Sequence, residues 1–225
     1  MTSSGTKKSR PKPRRAIAPA SDESLLCRYR DKGERAAFEE LVHRYERELY
    51  SYLRRYLGHA DLAEDVFQTT FLQVHQKCSQ FQDGRSFRPW LYTIATHQAI
   101  DALRKRRRHP TVSFDASPPA GAEEVVDRGT YLELLTNHAP GPAAQLEERE
   151  RREWVRRAVQ QLPLPLRSAV LLVYYHGLKY RDVAEILGIP EGTLKSRIHA
   201  ALARLNLAWR QKESLEEGGY QCTTN

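Results

Sequence analysis

Cysteine is scarce in this sequence. The three cysteines, Cys27, Cys78 and Cys222, are too few and too scattered for a disulfide framework. None of them lies in the Cys-x-x-Cys or Cys/His spacing that is typical of zinc sites. A reducing compartment suits such a chain, so we expect a cytoplasmic protein. The sequence shows no other ligand pattern, and we expect neither a bound metal nor a cofactor.

Long apolar runs are also missing. No run approaches the roughly 20 residues that a membrane-spanning helix requires. The basic amino terminus lacks the apolar segment of a signal peptide. Six Phe and three Trp in 225 residues favour small helical cores over a large sheet. We therefore expect a soluble protein without a membrane partner.

Positive charge is abundant and clustered. Lys and Arg number 36 against 28 Asp and Glu, which gives a net charge of +8. The excess is concentrated in KKSRPKPRR, residues 7–15, and RKRRR, residues 104–108. Either cluster alone is typical of a solvated surface. Together they favour a polyanionic partner such as nucleic acid.

Composition and hydrophobic periodicity divide the chain into five segments and predict an all-α fold. Two small helical domains are joined by a flexible linker that is rich in Pro, Gly and Ala, and the second domain contains a helix-turn-helix. The predicted segments are a disordered basic tail (1–20), a first helical domain (21–108), the linker (109–144), a second helical domain (145–212) and a carboxy-terminal tail (213–225).

Four helices are predicted in the first domain. The first has Ser21 or Asp22 as its N-cap, and the second follows Gly33 with one continuous apolar stripe. The third covers about 61–78. The fourth begins at Trp90, after a polar loop over residues 79–89 that contains Gly and Pro.

The stretch LGIPEGTLKSRIHAALARL, residues 187–205, has the pattern of a helix-turn-helix. Gly188 suits the left-handed conformation that ends a helix, and Pro190 suits the first turn of the next one. The second helix of this motif enters the major groove of DNA. The alternative is an antiparallel helix pair with a solvated basic face. Four residues are predicted to face the core: Leu194, Ile198, Ala201 and Leu205.

Two long matches resemble bacterial sigma factors. YRDVAEILGIPEGTLKSRIHAALARL resembles sigma region 4, while FEELVHRYERELYSYLRRYLGHADLAEDVFQTTFLQVHQ followed by FRPWLYTIATHQAIDALRKRRR resembles region 2. Their order and the linker between them are those of the family. Region 1.1 and a recognisable region 3 are missing, which resembles the extracytoplasmic-function (ECF) group.

The resemblance implies a factor that binds RNA polymerase core and directs promoter-specific initiation. Such a factor recognises the −10 and −35 elements and helps to open the DNA, while catalysis belongs to the polymerase, so the chain itself is not an enzyme. The implied partners are the clamp helices of the largest subunit, the flap of the second-largest subunit for region 4, and promoter DNA. An anti-sigma factor remains open as a further partner.

The resemblance also assigns roles to three sets of residues. The polymerase-binding set lies on the third helix and comprises Asp61, Glu64, Asp65 and Gln68. A melting surface needs cations beside aromatic rings, because stacking an unpaired base on such a ring returns about 1–3 kcal/mol. The set for the −10 element and melting comprises Arg85, Phe87, Arg88, Trp90, Tyr92, Thr93, Thr96, His97 and Arg104.

The third set lies on the outer face of the helix that follows Pro190. Hydroxyl groups and guanidinium groups at such positions contact base edges and phosphates in the major groove. The set for the −35 element comprises Thr193, Lys195, Ser196, Arg197, His199 and Arg204. In region 2 the family often carries Asn where His97 stands and Arg where Thr96 stands, which leaves the preferred −10 sequence open.

Two rival interpretations compete with this one. A helix-turn-helix regulator with a helical sensor domain would need a ligand pocket or a phospho-acceptor on a strand, and the sequence shows neither. An enzyme could use His97 and Asp101, which lie one helical turn apart. No third ligand or nucleophile converges on that pair by sequence.

Overall fold

The computed structural model describes residues 20–108 and 142–219, and every regular element in these ranges is a helix. The all-α fold class is confirmed. Residues 1–19 of the predicted tail and 109–141 of the predicted linker lie outside the described residues. The α-helices are α1 (Asp22–Lys32), α2 (Arg35–Leu57), α3 (Ala60–Lys77), α4 (Phe87–Arg108), α5 (Pro142–Gln161), α6 (Leu164–Val170), α7 (Tyr180–Leu187) and α8 (Glu191–Gly219).

The first helices begin and end at the residues that the sequence indicates. The N-cap of α1 is Ser21, whose hydroxyl accepts a hydrogen bond from the backbone N–H of Ser24 at 3.2 Å. Gly33 ends α1 with a φ of 65°, a left-handed conformation that glycine adopts without strain. A 3₁₀ turn, Cys78–Gln80, follows α3.

The core of the first domain lies between α2, α3 and α4. The predicted stripe of α2 is largely buried, with Leu41, Leu49 and Tyr52 inaccessible to solvent. The Tyr52 hydroxyl lies 2.8 Å from the Thr96 hydroxyl, which pairs two polar groups inside an otherwise apolar core. Ring contacts pair Phe38 with Phe71 and Tyr50 with Phe67, so α2 and α3 run antiparallel. Because Tyr45 contacts Phe87 as Tyr52 contacts Thr96, α2 and α4 run in the same direction.

The loop predicted over 79–89 is shorter than expected. Helix α4 begins at Phe87 and not at Trp90, because the Glu23 carboxylate accepts the Phe87 backbone N–H at 2.9 Å and so caps the new helix. Pro89 then lies in the first turn of α4, where proline is tolerated. A cap donated by α1 cannot be seen in the local sequence.

The second domain comprises α5 to α8 and a π-helical turn, Leu171–Tyr175. The turn before α8 has the predicted form, since Gly188 has a φ of 62° and its N–H donates to the Glu185 carbonyl at 3.1 Å. Helix α5 begins inside the predicted linker. Helix α8 continues to Gly219, so part of the predicted tail 213–225 is helical.

The two domains pack against each other, with α4 beside α7 and α2 beside the π-helical turn. Arg167 donates to the Tyr56 carbonyl at 3.0 Å, where α2 ends. Ser168 donates to the Tyr56 hydroxyl at 3.2 Å, and the Arg55 guanidinium lies 4.7 Å from the centre of the Tyr175 ring. This docking of the two domains was not predicted, because the sequence pattern describes each domain separately.

Candidate functional site

The predicted polymerase-binding set forms one exposed face of α3. Asp61, Glu64, Asp65 and Gln68 all lie on the solvent side, and the Gln68 amide donates to the Glu64 carboxylate at 2.9 Å. Leu72 continues this face one turn further and is 54% exposed. Sequence reasoning missed Leu72, although it lies off the buried stripe of Val66, Thr70 and Val74.

The predicted −10 set divides by exposure. Three of its side chains are exposed, namely Arg85, His97 and Arg104, and three are half-buried, namely Arg88, Trp90 and Thr93. Three others are enclosed in the core, namely Phe87, Tyr92 and Thr96. Trp90 packs edge-on against Phe81, with ring centres 5.1 Å apart. In this conformation the three enclosed side chains cannot contact a DNA base.

A cluster of polar side chains joins α2, α4 and the second domain. The Tyr92 hydroxyl donates to the Glu48 carboxylate at 2.7 Å, and Arg88 forms an ion pair with the same carboxylate. Arg88 also donates to the His176 carbonyl at 2.7 Å, and His176 Nδ1 lies 3.0 Å from the Tyr92 hydroxyl. Two residues of the predicted melting set therefore hold the domains together.

The electrostatics of this cluster follow from its burial. Burial acts to raise the pKa of Glu48, but the adjacent His176 ring, the Arg88 charge and the hydrogen bond from Tyr92 outweigh it and lower that pKa to about 2. Burial lowers the pKa of His176, and this effect outweighs the nearby Glu48 carboxylate, which acts to raise it; the Arg55 and Arg88 charges add to the lowering. Glu48 thus stays charged and His176 is held neutral near neutral pH.

The geometry around His176 explains why its imidazole is neutral. Its Nδ1 faces the Tyr92 hydroxyl and the Glu48 carboxylate, which lies 3.6 Å away. Its Nε2 is buried and has no hydrogen-bond partner among the described residues. A second proton on Nε2 would bury an N–H without an acceptor, and that disfavours docking of the protonated chain.

A second contact lies closer to the surface. Arg85, from the predicted melting loop, forms an ion pair with Glu185 of α7, and both side chains are about half exposed. An exposed pair of this kind adds little stability on its own. The pair between Arg85 and Glu185 instead fixes a position, because it places α7 directly beside the start of α4.

The predicted −35 set lies on the outer face of α8. Leu194, Ile198 and Ala201 are buried, as predicted, and Leu205 is half-buried. Arg197 is half-buried, and the Ser196 hydroxyl donates to the Gly192 carbonyl at 3.1 Å. The other five members of the set are exposed, namely Thr193, Lys195, Ser196, His199 and Arg204.

The metal or acid/base arrangement that the enzyme interpretation requires is not found in the described ranges. His97 and Asp101 are both exposed, and the Asp101 carboxylate lies 3.5 Å from Arg104. Residues 20–108 and 142–219 contain no group of three or more His, Cys, Asp or Glu that could hold a metal ion. None of the described helices is long and apolar enough to cross a membrane.

The cluster of Glu48, Arg88, Tyr92 and His176 predicts that docking of the two domains depends on pH. Lowering the pH from about 7.5 to about 5.5 is expected to raise the undocked fraction several-fold, because undocked His176 regains a pKa near 6.5 and binds a proton that the docked form resists. Docking is thus stronger above about pH 6.5 and weakens below it. Energy transfer between dyes on exposed positions of α2 and α8 measures the docked fraction.

A His176→Gln variant is the control for this prediction. Glutamine does not titrate, Glu48 stays ionised because its pKa is about 2, and Arg55 and Arg88 keep their charge. The variant should therefore lose the pH response between about pH 7.5 and 5.5. An equal response in both proteins would show that another group is responsible.

Two family descriptions match the two domains. Sigma-70 region 2 matches residues 41–109, and Sigma-70 region 4 matches residues 152–205. The order and spacing of the two matches follow the two helical domains of the structure. Such a chain is a two-domain transcription initiation factor.

Several characterised proteins are similar along most of their length. The ECF RNA polymerase sigma factor SigW of Bacillus subtilis is 32% identical over 168 residues, 75% of this chain and 86% of that protein. The ECF sigma-E factor of Salmonella typhimurium strain LT2 is 33% identical over 182 residues, 80% of this chain and 90% of that protein. The chain belongs to the ECF family of RNA polymerase sigma factors.

A solved structure shares the fold. CnrH, determined in complex with the cytosolic domain of CnrY, aligns with a TM-score of 0.58 and 23% sequence identity, covering 84% of this chain and 97% of that one. As a sigma factor, the protein directs transcription initiation by binding RNA polymerase core and promoter DNA. It is an initiation factor and not an enzyme.

Proposed function

We propose that this sigma factor assigns its tasks to three separate surfaces. The outer face of α3 binds the clamp helices of the polymerase, the exposed side of α4 binds the −10 element, and the outer face of α8 reads the −35 element. The observation that carries this proposal is that each predicted set leaves exposed side chains on a different face. In addition, the second domain contacts the polymerase flap.

The polymerase surface combines charge with one apolar side chain. Asp61, Glu64 and Asp65 would repel DNA phosphates, so this face suits a protein partner better than promoter DNA. Leu72 adds apolar area to the same face, and burying such a side chain stabilises a complex by about 1.5–3 kcal/mol. Leu72 therefore joins the four predicted residues as a contact for the clamp helices.

The proposed −10 surface contains fewer residues than the predicted −10 set. Arg85, Arg88, Trp90, Thr93 and His97 retain exposed or half-exposed side chains and supply the contacts to bases and phosphates. Arg104 contributes at the basic end of α4. The three enclosed side chains, Phe87, Tyr92 and Thr96, support α4 from the core.

The site of action and a further partner complete the proposal. The protein acts in the cytoplasm, where RNA polymerase and the chromosome are. RpoE of Bartonella quintana, a structural relative with a TM-score of 0.56 and 22% identity over 77% of this chain and 96% of that one, was solved with the anti-sigma factor NepR. An anti-sigma factor is the corresponding partner for this chain.

Transcription with purified components tests the proposal as a whole. The full chain is mixed with polymerase core and a genomic promoter library, and the transcribed promoters are sequenced. Promoters that share two conserved elements at a fixed spacing support the proposal. Transcription that does not depend on the added chain, or promoters with only one shared element, would contradict it.

Alanine substitution of Asp65, Gln68 and Leu72 together is expected to weaken core binding about tenfold to a hundredfold, because contacts of this kind each contribute on the order of 0.5–1 kcal/mol. Binding of the chain to a −35 duplex should not change. Fluorescence anisotropy measures both affinities. Glu39→Ala, at an exposed position of α2, is the matched control, and unchanged core affinity in the triple variant would refute the polymerase assignment.

A further inference from the structure

We propose that the basic segment at residues 7–15 binds promoter phosphates next to the start of α4, on the side of the −10 element where the strands separate. The segment is KKSRPKPRR, and the proposed function leaves it without a role. The inference rests on the proposed −10 role of α4. Residues 7–15 lie outside the described residues, but the structure fixes the point from which they leave the first domain.

The basic segment carries most of the net positive charge of the chain. It contains six Lys and Arg, and no Asp or Glu occurs before Asp22. With the segment set aside, 30 Lys and Arg face 28 Asp and Glu, so the net charge of the remaining chain is only +2. The segment has no acidic residue for an internal ion pair and no apolar side chain to bury. Such a charge run favours a polyanionic partner.

The start of α1 determines where the basic segment leaves the first domain. The Ala20 carbonyl accepts a hydrogen bond from Arg44 of α2 at 2.7 Å. The same guanidinium donates to the Asp22 carboxylate at 2.8 Å, and the Tyr45 hydroxyl donates to that carboxylate at 2.5 Å. Ala20 is therefore held against α2, five residues after Arg15.

This exit point lies beside the start of α4. Glu23, in the first turn of α1, accepts the Phe87 backbone N–H and so joins the starts of the two helices. Arg88 pairs with Glu48, which lies one turn, or about 6 Å, beyond Arg44 on α2. The basic segment therefore leaves the domain at the same end that carries the proposed −10 surface.

The state of the DNA along the promoter indicates which side of the −10 element this end faces. A helix-turn-helix reads a major groove, so the DNA at the −35 element has to stay paired. The cations and Trp90 at the start of α4 suit unpaired bases. The promoter thus passes from paired to open in the direction from α8 toward the start of α4, where the basic segment leaves the domain.

The chain is long enough for every cation of the segment to reach phosphates on this side. Arg15 is five residues from Ala20 and Lys7 is thirteen, so they lie at most about 18 Å and about 47 Å from it in any conformation. Each strand of a duplex places one phosphate every 3.4 Å or so along the axis. The reach therefore corresponds to about 5 to 14 nucleotides.

Acidic groups near the exit point are already engaged within the protein. Four carboxylates are bound by Arg44, by Arg88 or by the start of α4, namely Asp22, Glu23, Glu40 and Glu48. The outer face of α3, with Asp61, Glu64 and Asp65, is the alternative binding site for the basic segment. Binding there would cover the proposed polymerase surface, whereas binding to DNA leaves that surface available.

Replacing the six cations of the segment by glutamine tests the proposal in the holoenzyme assembled from the full chain. Promoter affinity should fall at least about tenfold at about 50 mM salt, and the slope of log affinity against log salt should become shallower by about 0.7–0.9 for each lost phosphate contact. Affinity for polymerase core and the base preferences should not change. The six substituted residues are Lys7, Lys8, Arg10, Lys12, Arg14 and Arg15.

A variant with the order of residues 7–15 reversed is the matched control, because it keeps all six charges and should bind like the wild type. Shortened promoters then locate the contact. Without the DNA beyond the −10 element on the opened side, the wild type and the glutamine variant should bind nearly equally. Removal of the DNA upstream of the −35 element should preserve their difference. A difference that survives removal of the opened-side DNA would overturn the proposal.

Photo-cross-linking from position 9 gives an independent measurement. Ser9 lies among the six cations and is eleven residues from Ala20, so p-benzoylphenylalanine in its place should form adducts with promoter DNA within about 12 nucleotides of the opened −10 element. Adducts with the outer face of α3 alone, together with a gain of core affinity in the glutamine variant, would show that the segment covers the polymerase surface. That result would overturn the proposal.

The outcomes also separate this proposal from the function. Equal promoter affinity and equal salt slope in the wild type and the glutamine variant would reject the DNA contact while the wild type still transcribes from its promoters. A loss of affinity in the reversed variant would show recognition of residue order and reject phosphate binding. Failure of the wild type to direct transcription would reject the proposed function itself.

Discussion

Locking the two domains together is expected to reduce promoter-directed transcription to background. The variant carries Arg85→Cys and Glu185→Cys, joined by a short bismaleimide, with Cys27, Cys78 and Cys222 replaced by serine. Arg85 and Glu185 are in contact, and the start of α8 lies only six residues beyond Glu185, at most about 21 Å away. The −10 and −35 elements are about 25 base pairs apart, or about 85 Å along the duplex. The docked chain cannot bind both.

Run-off transcription before and after cross-linking measures this effect. Binding of the cross-linked chain to a short −35 duplex should persist, since the outer face of α8 is exposed in the docked form. The same variant with each cysteine capped by a monofunctional maleimide is the control for chemical modification. Full transcription by the purified cross-linked species would show that the docked arrangement does not exclude promoter use.

The second large effect is expected at α8. Arg197→Ala should reduce discrimination at one or two base pairs of the −35 element by about 1–3 kcal/mol, because a bidentate arginine contact to guanine supplies that much specificity. Lys195→Ala should weaken binding to all sequences alike and flatten the salt dependence, as expected for a phosphate contact. The two substitutions therefore leave different signatures.

Binding to a panel of single-base variants of the −35 duplex at several salt concentrations distinguishes them. Arg181→Ala, at an exposed position on the preceding helix, serves as a cation control outside the reading face. A uniform loss across the panel in both variants would place α8 on the DNA backbone and refute base reading by Arg197.

Local patterns predicted much of the structure. The turn at Gly188 and the buried stripe of α8 were foreseen because adjacent residues determine both. The start of α4 was not foreseen, since Glu23, 64 residues earlier, supplies its cap. The −10 and −35 assignments themselves stay predictions.

The burial of Tyr92 had no sequence signal either. Helix α4 packs against α2 and α3 on one side and against α7 on another, so its apolar and polar residues do not separate into a single stripe. A pattern read for one domain cannot show that a side chain is covered by the other. The same limit hid the cluster of Glu48, Arg88, Tyr92 and His176.

The docking of the two domains sets a threshold for promoter use. A ligand that binds only the open chain has its apparent affinity reduced by the fraction of chains that are open, so each 1.4 kcal/mol of docking free energy weakens promoter binding about tenfold. Substitutions of Arg167 or Ser168, which hold Tyr56, would lower this threshold without touching DNA. The output of the factor is thus adjustable at positions that never meet the promoter.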